Sequence, residues 1–395
     1  MINQAMNIMS DPRGGQNKQL FILFFFAFIV YGSSITIFGA VLPRIIGDFN
    51  WSYTVTGLVF MVGSVGFFVS AFLSGLVVER YHAKPFFIAA LCLCAIALSL
   101  FARIPSPIVN LLLNLVIGFS QGVIEVIINY EVIRLEKVGQ SRLMNLLHAG
   151  FSIGAIIGPL GVSALLQYGR VWNIIFPFMG ALFLILAVFF VFTPFFGPEP
   201  RAVSGKSGSL SLLRMPMFVL LCLAILLHVG SELGATIWMA EYFVRILVVP
   251  ASIAAFSISA LWIGVLVGRT LISALWHKKR QEMLILILSL LCVGSLLALL
   301  FIRSALPAMA IVFILGLGFS GIYPLIMSLT GMTFHSSTAV GMMMTFTGIG
   351  SFSFPFLLAG VAERLGLRSG FLLLAALPLG IALISAILSI KYRVK

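Results

Sequence analysis

Apolar stretches of about 20 residues recur from Leu20 to the C-terminus of this 395-residue chain. Each is long enough to cross a hydrocarbon core of about 30 Å as a helix. Charged residues make up 9% of the chain, hydrophobic residues 61%, and the mean hydropathy is +1.17. Soluble domains carry roughly 25% charged residues, so this composition excludes a soluble fold. The pattern predicts an all-α protein that crosses a membrane many times.

Twelve spans fit the sequence, and an even number of crossings places both termini on the same side of the membrane. We expect them at 20–45, 53–78, 85–103, 107–134, 143–167, 172–195, 215–244, 251–276, 282–303, 306–332, 337–362 and 369–391. Sixteen of the 24 Lys and Arg residues fall on the side of the termini and seven on the other side. The positive-inside rule therefore predicts cytoplasmic termini. This topology explains the net charge of +13, so no nucleic-acid partner is predicted.

The longest polar interruption, GPEPRAVSGKSGSLS at 197–211, is typical of a flexible linker. It predicts a cytoplasmic tail (1–19), a six-helix half (20–196), a cytoplasmic linker (197–214), a second six-helix half (215–391) and a short cytoplasmic tail (392–395). The halves resemble each other weakly. The motif GFSQG from Gly118 is similar to GFSG from Gly318, and GAIIGP (154–159) is similar to GIGSFSFP (348–355). Repeated halves with a site between them are typical of one class of secondary transporter.

The loop after the second span reads GLVVERYHAKPFF from Gly75, and it resembles the signature loop of the major facilitator superfamily. Gly75, Glu79, Arg80 and Lys84 match that signature in spacing, while Glu79 replaces the usual Asp and His82 the usual Gly. The resemblance implies the major facilitator fold, with twelve transmembrane helices in two six-helix pseudo-symmetric halves. It also implies a gating role for the four matching residues; the alternative is a solvated run of charges.

Other motifs are similar to the fucose–proton symporter branch and its sodium-dependent glucose transporter-like relatives. They are Glu125-Val-Ile-Ile-Asn129, RLMNLLHAGFSIGAIIGP (142–159), HVGSELGATIW (228–238), Gly268-Arg269 and GFSGIYP (318–324). The first span lacks the acidic residue of that branch, and His148 and Phe151 stand where the branch favours Gln and Asn. The resemblance implies an ion-coupled sugar transporter, and these departures leave the ion and the sugar open.

Glu125 shares one helical face with Gln121 and Asn129, because the three are spaced four residues apart. A polar stripe at bilayer depth is excluded from lipid, so we expect it to face an interior cavity. We predict that Glu125 binds the coupling ion and that Gln121 and Asn129 bind solute hydroxyls. The alternative is an interhelical hydrogen-bond stripe with a protonated Glu. Glu131 precedes Arg134 at i+3, which predicts a structural ion pair.

Glu232 in the seventh span, one turn after His228, is predicted to be a second coupling-ion site or a solute contact; the alternative is a buried pair of the two that fixes helix packing. The predicted solute-binding residues are Gln121, Asn129, His148, His228, Trp238, Trp262 and Tyr323, with the aromatic members as platforms for a sugar ring. Tyr130 is a further aromatic candidate. Arg269 lies within the eighth span, needs a partner, and is assigned to gating. Glu241 has Arg245 at i+4, which predicts an ion pair or an outer gate contact.

The leading hypothesis is a secondary active transporter that couples symport of a small polar solute to a proton or sodium ion by alternating access. A monosaccharide is the favoured solute. The alternatives are a proton-driven exporter of drugs or lipid-like amphiphiles and a non-transporting receptor on a transporter fold. The sequence holds no recognisable catalytic, phosphate-binding or metal-binding motif, so no enzyme activity, cofactor or metal is predicted. We expect a monomer in the lipid bilayer of a bacterial inner membrane.

Overall fold

The computed structural model describes residues 14–78, 81–136, 142–196, 212–276, 280–334 and 337–391. Over these ranges the chain is helical without any β-strand, and twelve helices are long and apolar enough to cross a membrane. The predicted all-α fold and the number of spans are therefore confirmed. Glu79, Arg80, the linker residues 197–211 and the tail 392–395 lie outside the described residues.

The helices of the N-terminal half are α1 (Gly14–Phe49), α2 (Tyr53–Val78), α3 (Ala83–Leu100), α4 (Pro107–Leu135), α5 (Arg142–Gln167) and α6 (Ile175–Val191). Those of the C-terminal half are α7 (Pro216–Ile246), α8 (Ala251–Leu275), α9 (Gln281–Phe301), α10a (Ala305–Phe319), α10b (Ile322–Phe334), α11 (Ser337–Leu365) and α12 (Leu367–Lys391). The side of the membrane where α1 begins and α12 ends is called the terminal side, and the opposite side is called the far side.

Two differences from the sequence prediction affect the architecture. Helix α1 begins at Gly14, inside the segment predicted as a tail. The tenth span, predicted as one helix, is interrupted at Ser320–Gly321. Pro324 explains the interruption, because it has no N–H and its ring clashes with the carbonyl four residues before it, which is that of Ser320. Discontinuous helices of this kind commonly form the binding sites of transporters.

Equivalent helix crossings in the two halves are each packed at a glycine. In the N-terminal half α5 crosses α1 where Gly154 lies against the Ile29 carbonyl, and in the C-terminal half α11 crosses α7 where Gly350 lies against the Leu226 carbonyl. A Cβ on either glycine would overlap the facing oxygen. Small residues allow this close approach, which stabilises helix pairs in lipid.

A second pair of crossings shows which residues of α4 and α10 occupy corresponding positions in the two halves. Gly118 of α4 packs against Gly63 of α2, and Gly316 of α10a packs against Gly264 of α8. The structural counterpart of Gly118 is therefore Gly316, two residues before the Gly318 that the sequence similarity indicated. Counted from the crossings, Tyr31 and Ser34 correspond to His228 and Ser231, and Glu125 corresponds to Tyr323.

The two halves contact each other through α1 with α7, α2 with α11, and α5 with α8. On the far side, Gly57 of α2 packs against Ala359 of α11. At the terminal ends of the same two helices, a Cβ on Gly75 or Gly341 would meet no atom within 4 Å. Helices α2 and α11 are therefore in contact on the far side, and this contact continues to Phe68 of α2, which packs against Gly348 of α11.

Candidate functional site

Glu125 lies on the face of α4 that meets the middle of α1. The hydroxyl of Tyr31 donates a hydrogen bond of 2.5 Å to its Oε2. Tyr31 is held in place by stacking on Phe28, with ring centroids 5.3 Å apart, and by a tilted contact with Phe151 at 5.7 Å. The first span thus supplies a phenol to Glu125 and no carboxylate. The sequence interpretation missed Tyr31, although a Tyr in the middle of an acid-free first span was a usable signal.

Gln121 also bonds to α1, one turn from Glu125. Its Nε2 donates to Ser34 Oγ at 2.9 Å, and that hydroxyl donates to the carbonyl of Tyr31 at 2.7 Å. Gln121 and Glu125 therefore face the bundle interior, but the amide nitrogen of Gln121 is already hydrogen-bonded. Asn129, the third predicted member of the stripe, has a buried Oδ1 with no hydrogen-bond partner among the described residues.

His228 and Glu232 form the corresponding polar region of α7. The His228 Nε2 lies 4.0 Å from Oε2 of Glu232. The imidazole packs against the rings of Phe319 and Tyr323, which flank the break in α10, at centroid distances of 5.9 and 6.4 Å. His228 is 0% exposed, and neither ring nitrogen has a hydrogen-bond partner within the part of the chain that the structure describes.

Ser231 lies one turn after His228 on α7 and is a second buried polar residue without a hydrogen-bond partner among the described residues. It is also 0% exposed, and its Oγ has no hydrogen-bond partner in the described ranges. Buried polar groups are normally hydrogen-bonded, and an unpaired one costs roughly 1–3 kcal/mol. Three buried polar atoms on adjacent turns of α7 thus have no hydrogen-bond partner among the described residues.

Arg269 of α8 connects the two halves. Its Nη1 lies 3.3 Å from Ser152 Oγ of α5, and its guanidinium is attracted electrostatically to Glu232. His148 and His228 are both close enough to interact with its charge. The sequence did not specify which glutamate accompanies Arg269; in the structure Glu232 is close enough to interact with its charge, although the two form no ion pair of 4 Å or less among the described residues.

Trp262 and Tyr323 line the same region. Trp262 is 3% exposed and packs edge-on against Phe151 across the α5–α8 contact, with ring centroids 5.3 Å apart. Its Nε1 has no hydrogen-bond partner among the residues described. Tyr323 interacts electrostatically with both Glu125 and Glu232. We define the central cluster as Tyr31, Gln121, Glu125, His148, His228, Ser231, Glu232, Trp262, Arg269 and Tyr323.

Trp238 is not part of the central cluster. It is fully buried towards the far side, where its Nε1 donates to the carbonyl of Pro355 at 3.1 Å. Its ring packs edge-on against Tyr53 at 5.5 Å. This arrangement places Trp238 away from the central cluster, and its predicted contact with a sugar ring remains a prediction.

The signature loop between α2 and α3 is described only in part. Lys84 Nζ donates to the carbonyl of Val191 at 2.7 Å, a contact within the N-terminal half, and Gly75 has open space around it. Glu79 and Arg80 lie outside the described residues, so their predicted gating role remains a prediction. No group of three or more His, Cys, Asp or Glu side chains that could hold a metal ion is found in the described segments.

The predicted ion pair of Glu131 with Arg134 is confirmed at 3.5 Å. The Arg134 guanidinium also lies over the rings of Tyr130 and Phe196, at 5.4 and 4.8 Å from their centroids. Tyr130 therefore packs at the terminal end of α4 and not in the central cluster. The two glutamates of α4 have different environments, because Glu125 contacts a phenol at mid-depth and Glu131 a guanidinium near the helix end.

Comparison with known families now identifies the fold. The profile of the Major Facilitator Superfamily matches residues 23–355. This chain belongs to the major facilitator superfamily. It is accordingly a secondary transporter and a multi-pass integral membrane protein.

The curated relatives of this superfamily member are distant. A TsgA homolog of Buchnera aphidicola subsp. Baizongia pistaciae is 24% identical over 357 residues, which cover 88% of this chain and 89% of that protein. An uncharacterised MFS-type transporter of Yersinia pestis is 25% identical over 143 residues, so that match spans 36% of this chain and only 37% of the relative.

Solved structures share the fold over nearly the whole chain. A variant of the nucleoside transporter NupG superposes with a TM-score of 0.80 at 17% identity, covering 94% of this chain and 99% of NupG. A bacterial homolog of the human lysosomal transporter Spinster, crystallised inward-facing and occupied, gives 0.76 at 14% identity, covering 97% and 98%. At these identities the likeness establishes the fold.

Proposed function

We propose that this transporter carries out ion-coupled symport of a small polar solute, with a monosaccharide as the first candidate. The observation that supports it is the set of buried, unpaired polar atoms in the middle of the bundle. They belong to His228, Ser231 and Trp262, and Asn129 adds an unpaired amide oxygen one turn beyond Glu125 on α4. Neutral hydroxyl groups both donate and accept hydrogen bonds, and these atoms offer both kinds of partner.

The same atoms disfavour a lipid-like or drug-like solute. An apolar molecule in this position would leave the nitrogens of His228 and the hydroxyl of Ser231 without partners, at the full cost of their desolvation. A sugar would satisfy them, and the rings of Trp262, Phe151 and Tyr323 offer planes for the apolar face of a pyranose. Export of a drug-like or lipid-like solute is therefore the alternative that the experiment below compares with sugar symport.

Ion coupling is supported by the charge of the central cluster. It contains two carboxylates, Glu125 and Glu232, and one guanidinium, Arg269. With both carboxylates ionised the cluster carries one net negative charge, which is costly at bilayer depth. One bound proton or monovalent cation would neutralise it and make the loaded carrier easier to reorient. Because Arg269 already accompanies Glu232, Glu125 is the proposed site of the coupling ion.

The proposed orientation follows from the excess of Lys and Arg on the terminal side. Both termini would lie in the cytoplasm. The far side, where α2 and α11 are in contact, would then face outward. The bacterial relatives support placement in a bacterial inner membrane.

The deciding experiment is thermal stability of the purified protein against a panel of sugars, in sodium and in potassium buffer at two pH values. A ligand that binds only the folded state stabilises it by about 2.7 kcal/mol at a hundredfold excess over Kd. Nucleosides belong in the panel because NupG is a nucleoside transporter and a nucleoside carries a sugar. Uptake into proteoliposomes under an imposed proton or sodium gradient then tests coupling.

A shift with one sugar or nucleoside would support the proposal and name the solute class, and its dependence on sodium or pH would name the ion. Stabilisation by hydrophobic amines or lipids alone would contradict it and favour the exporter. Binding of a sugar without flux in proteoliposomes would contradict the transport step and favour a receptor.

A further inference from the structure

Tyr53, the first residue of α2, joins the two halves on the far side. Its hydroxyl donates to Oε1 of Glu241 in α7 at 3.0 Å. Its backbone N–H and that of Thr54 donate to Oε2 of Glu363 in α11, at 2.6 and 3.3 Å. We define Tyr53, Glu241, Arg245 and Glu363 as the far-side latch.

The bonds to Glu363 form an N-terminal cap supplied by the other half of the molecule. The first N–H groups of a helix have no intrahelical partner, and a carboxylate near them is favoured by the helix dipole. Such a cap normally comes from a residue beside the helix start. In α2 the neighbouring Ser52 accepts from the N–H of Val55 at 3.2 Å, and Glu363 at the end of α11 adds the acceptor for the N–H groups of Tyr53 and Thr54, so α2 loses this second part of its cap whenever α2 and α11 separate.

The bond to Glu241 stabilises the same closed arrangement from α7. The Glu241 side chain is 0% exposed, and its Oε1 also accepts a 2.9 Å hydrogen bond from Nε of Arg245, which is 51% exposed. Desolvation of this carboxylate favours opening, because opening would admit water, while the Tyr53 hydroxyl favours closure. These opposing terms make the contact reversible and not merely structural.

We propose that the far-side latch is the far-side gate of the transport cycle. It stabilises the state in which the two halves are in contact on the far side, and it must break before solute can exchange with the far side. Transport by rocking of one half against the other requires such a separable contact. The proposal depends on neither the solute nor the coupling ion.

The test measures the separation of the halves directly. In a variant with Cys92, Cys94, Cys222 and Cys292 replaced, spin labels at Arg103→Cys and Arg303→Cys report the distance between exposed far-side loops of the two halves. Pulsed electron paramagnetic resonance of the protein in nanodiscs gives the distribution of this distance. The fraction of molecules at the longer distance is the far-side-open population. Tyr53→Phe removes one hydroxyl and retains the ring on Trp238, and Glu363→Ala removes the acceptor for the N–H groups of Tyr53 and Thr54.

We expect either substitution to raise the far-side-open to closed ratio roughly three- to tenfold, the effect of losing one or two hydrogen bonds. The matched control is Glu282→Gln, a buried carboxylate paired with Arg280 at 3.4 Å within the C-terminal half. It should leave the distances unchanged. Unaltered distances in Tyr53→Phe would overturn the proposal, as would an equal shift in the control. Should Glu363→Ala not fold, Tyr53→Phe still decides. Failure to identify a solute would not affect this readout.

Discussion

The two halves place different chemistry at corresponding positions. In the N-terminal half, Tyr31 and Ser34 of α1 bond to Glu125 and Gln121 of α4. In the C-terminal half, the corresponding His228 and Ser231 of α7 face a helix that offers Tyr323 and no carboxylate at the position of Glu125. Their polar atoms have no hydrogen-bond partner among the described residues.

This difference suggests a division of labour on one repeated scaffold. A carboxylate that is bonded to a phenol is suited to hold and release an ion, because its geometry is fixed before the ion arrives. An imidazole and a hydroxyl without partners are suited to bind a solute, because the solute completes their hydrogen bonds. We therefore expect substitutions in the two halves to affect different measurements.

The largest expected effect is that of Glu125→Gln. Removing the ionisable group should lower gradient-driven accumulation in proteoliposomes about a hundredfold or more, while the solute still stabilises the protein against heat. Glu282→Gln, outside the central cluster, serves as the control and should accumulate solute normally. Concentrative uptake by Glu125→Gln at the parental level would contradict the assignment of the coupling site.

A smaller effect is expected for His228→Leu in the other half. The solute loses hydrogen bonds to a buried imidazole, so its Kd, measured by isothermal titration, should rise roughly 5- to 150-fold, as for loss of 1–3 kcal/mol. Thermal stability without solute should not fall, since two unpaired nitrogens are removed. A drop in stability with unchanged Kd would show that His228 is a packing residue.

The matched serines separate the halves most sharply. Ser34→Ala leaves the buried Gln121 amide unpaired and should lower stability by about 1–3 kcal/mol. Ser231→Ala removes an unpaired hydroxyl, so stability should be unchanged or higher while the solute Kd rises roughly three- to tenfold. Thermal unfolding and titration of both variants provide the comparison. Equal loss of stability in the two would remove the distinction between the halves.

The smallest effect concerns the two tryptophans. Trp262→Phe should weaken solute binding a few fold, because the unpaired indole N–H is lost from the central cluster. Trp238→Phe should leave the Kd unchanged, since its N–H already bonds to Pro355. Titration of both variants at one temperature tests this, and a larger effect of Trp238→Phe would place the solute nearer the far side.

The sequence by itself determined the fold class and the number of spans, because the length of an apolar run is a local property that the bilayer thickness interprets. It also determined that Glu125 and Glu232 lie at mid-depth, and the short-range pairs of Glu131 with Arg134 and Glu241 with Arg245. Each of these depends on spacing along one helix. The break in α10 was readable from Pro324 but was obscured by the unbroken apolar character of the span.

Only the tertiary structure decided which helices meet and what each buried group contacts. Tyr31 reaches Glu125 across 94 residues, and Tyr53 reaches Glu363 across 310. Trp238 looked as suitable for the site as Trp262 until its position towards the far side was known. Apolar side chains meet lipid as readily as they meet another helix, so hydropathy cannot select helix partners. That choice depends on close backbone packing at small residues and on polar bonds between helices.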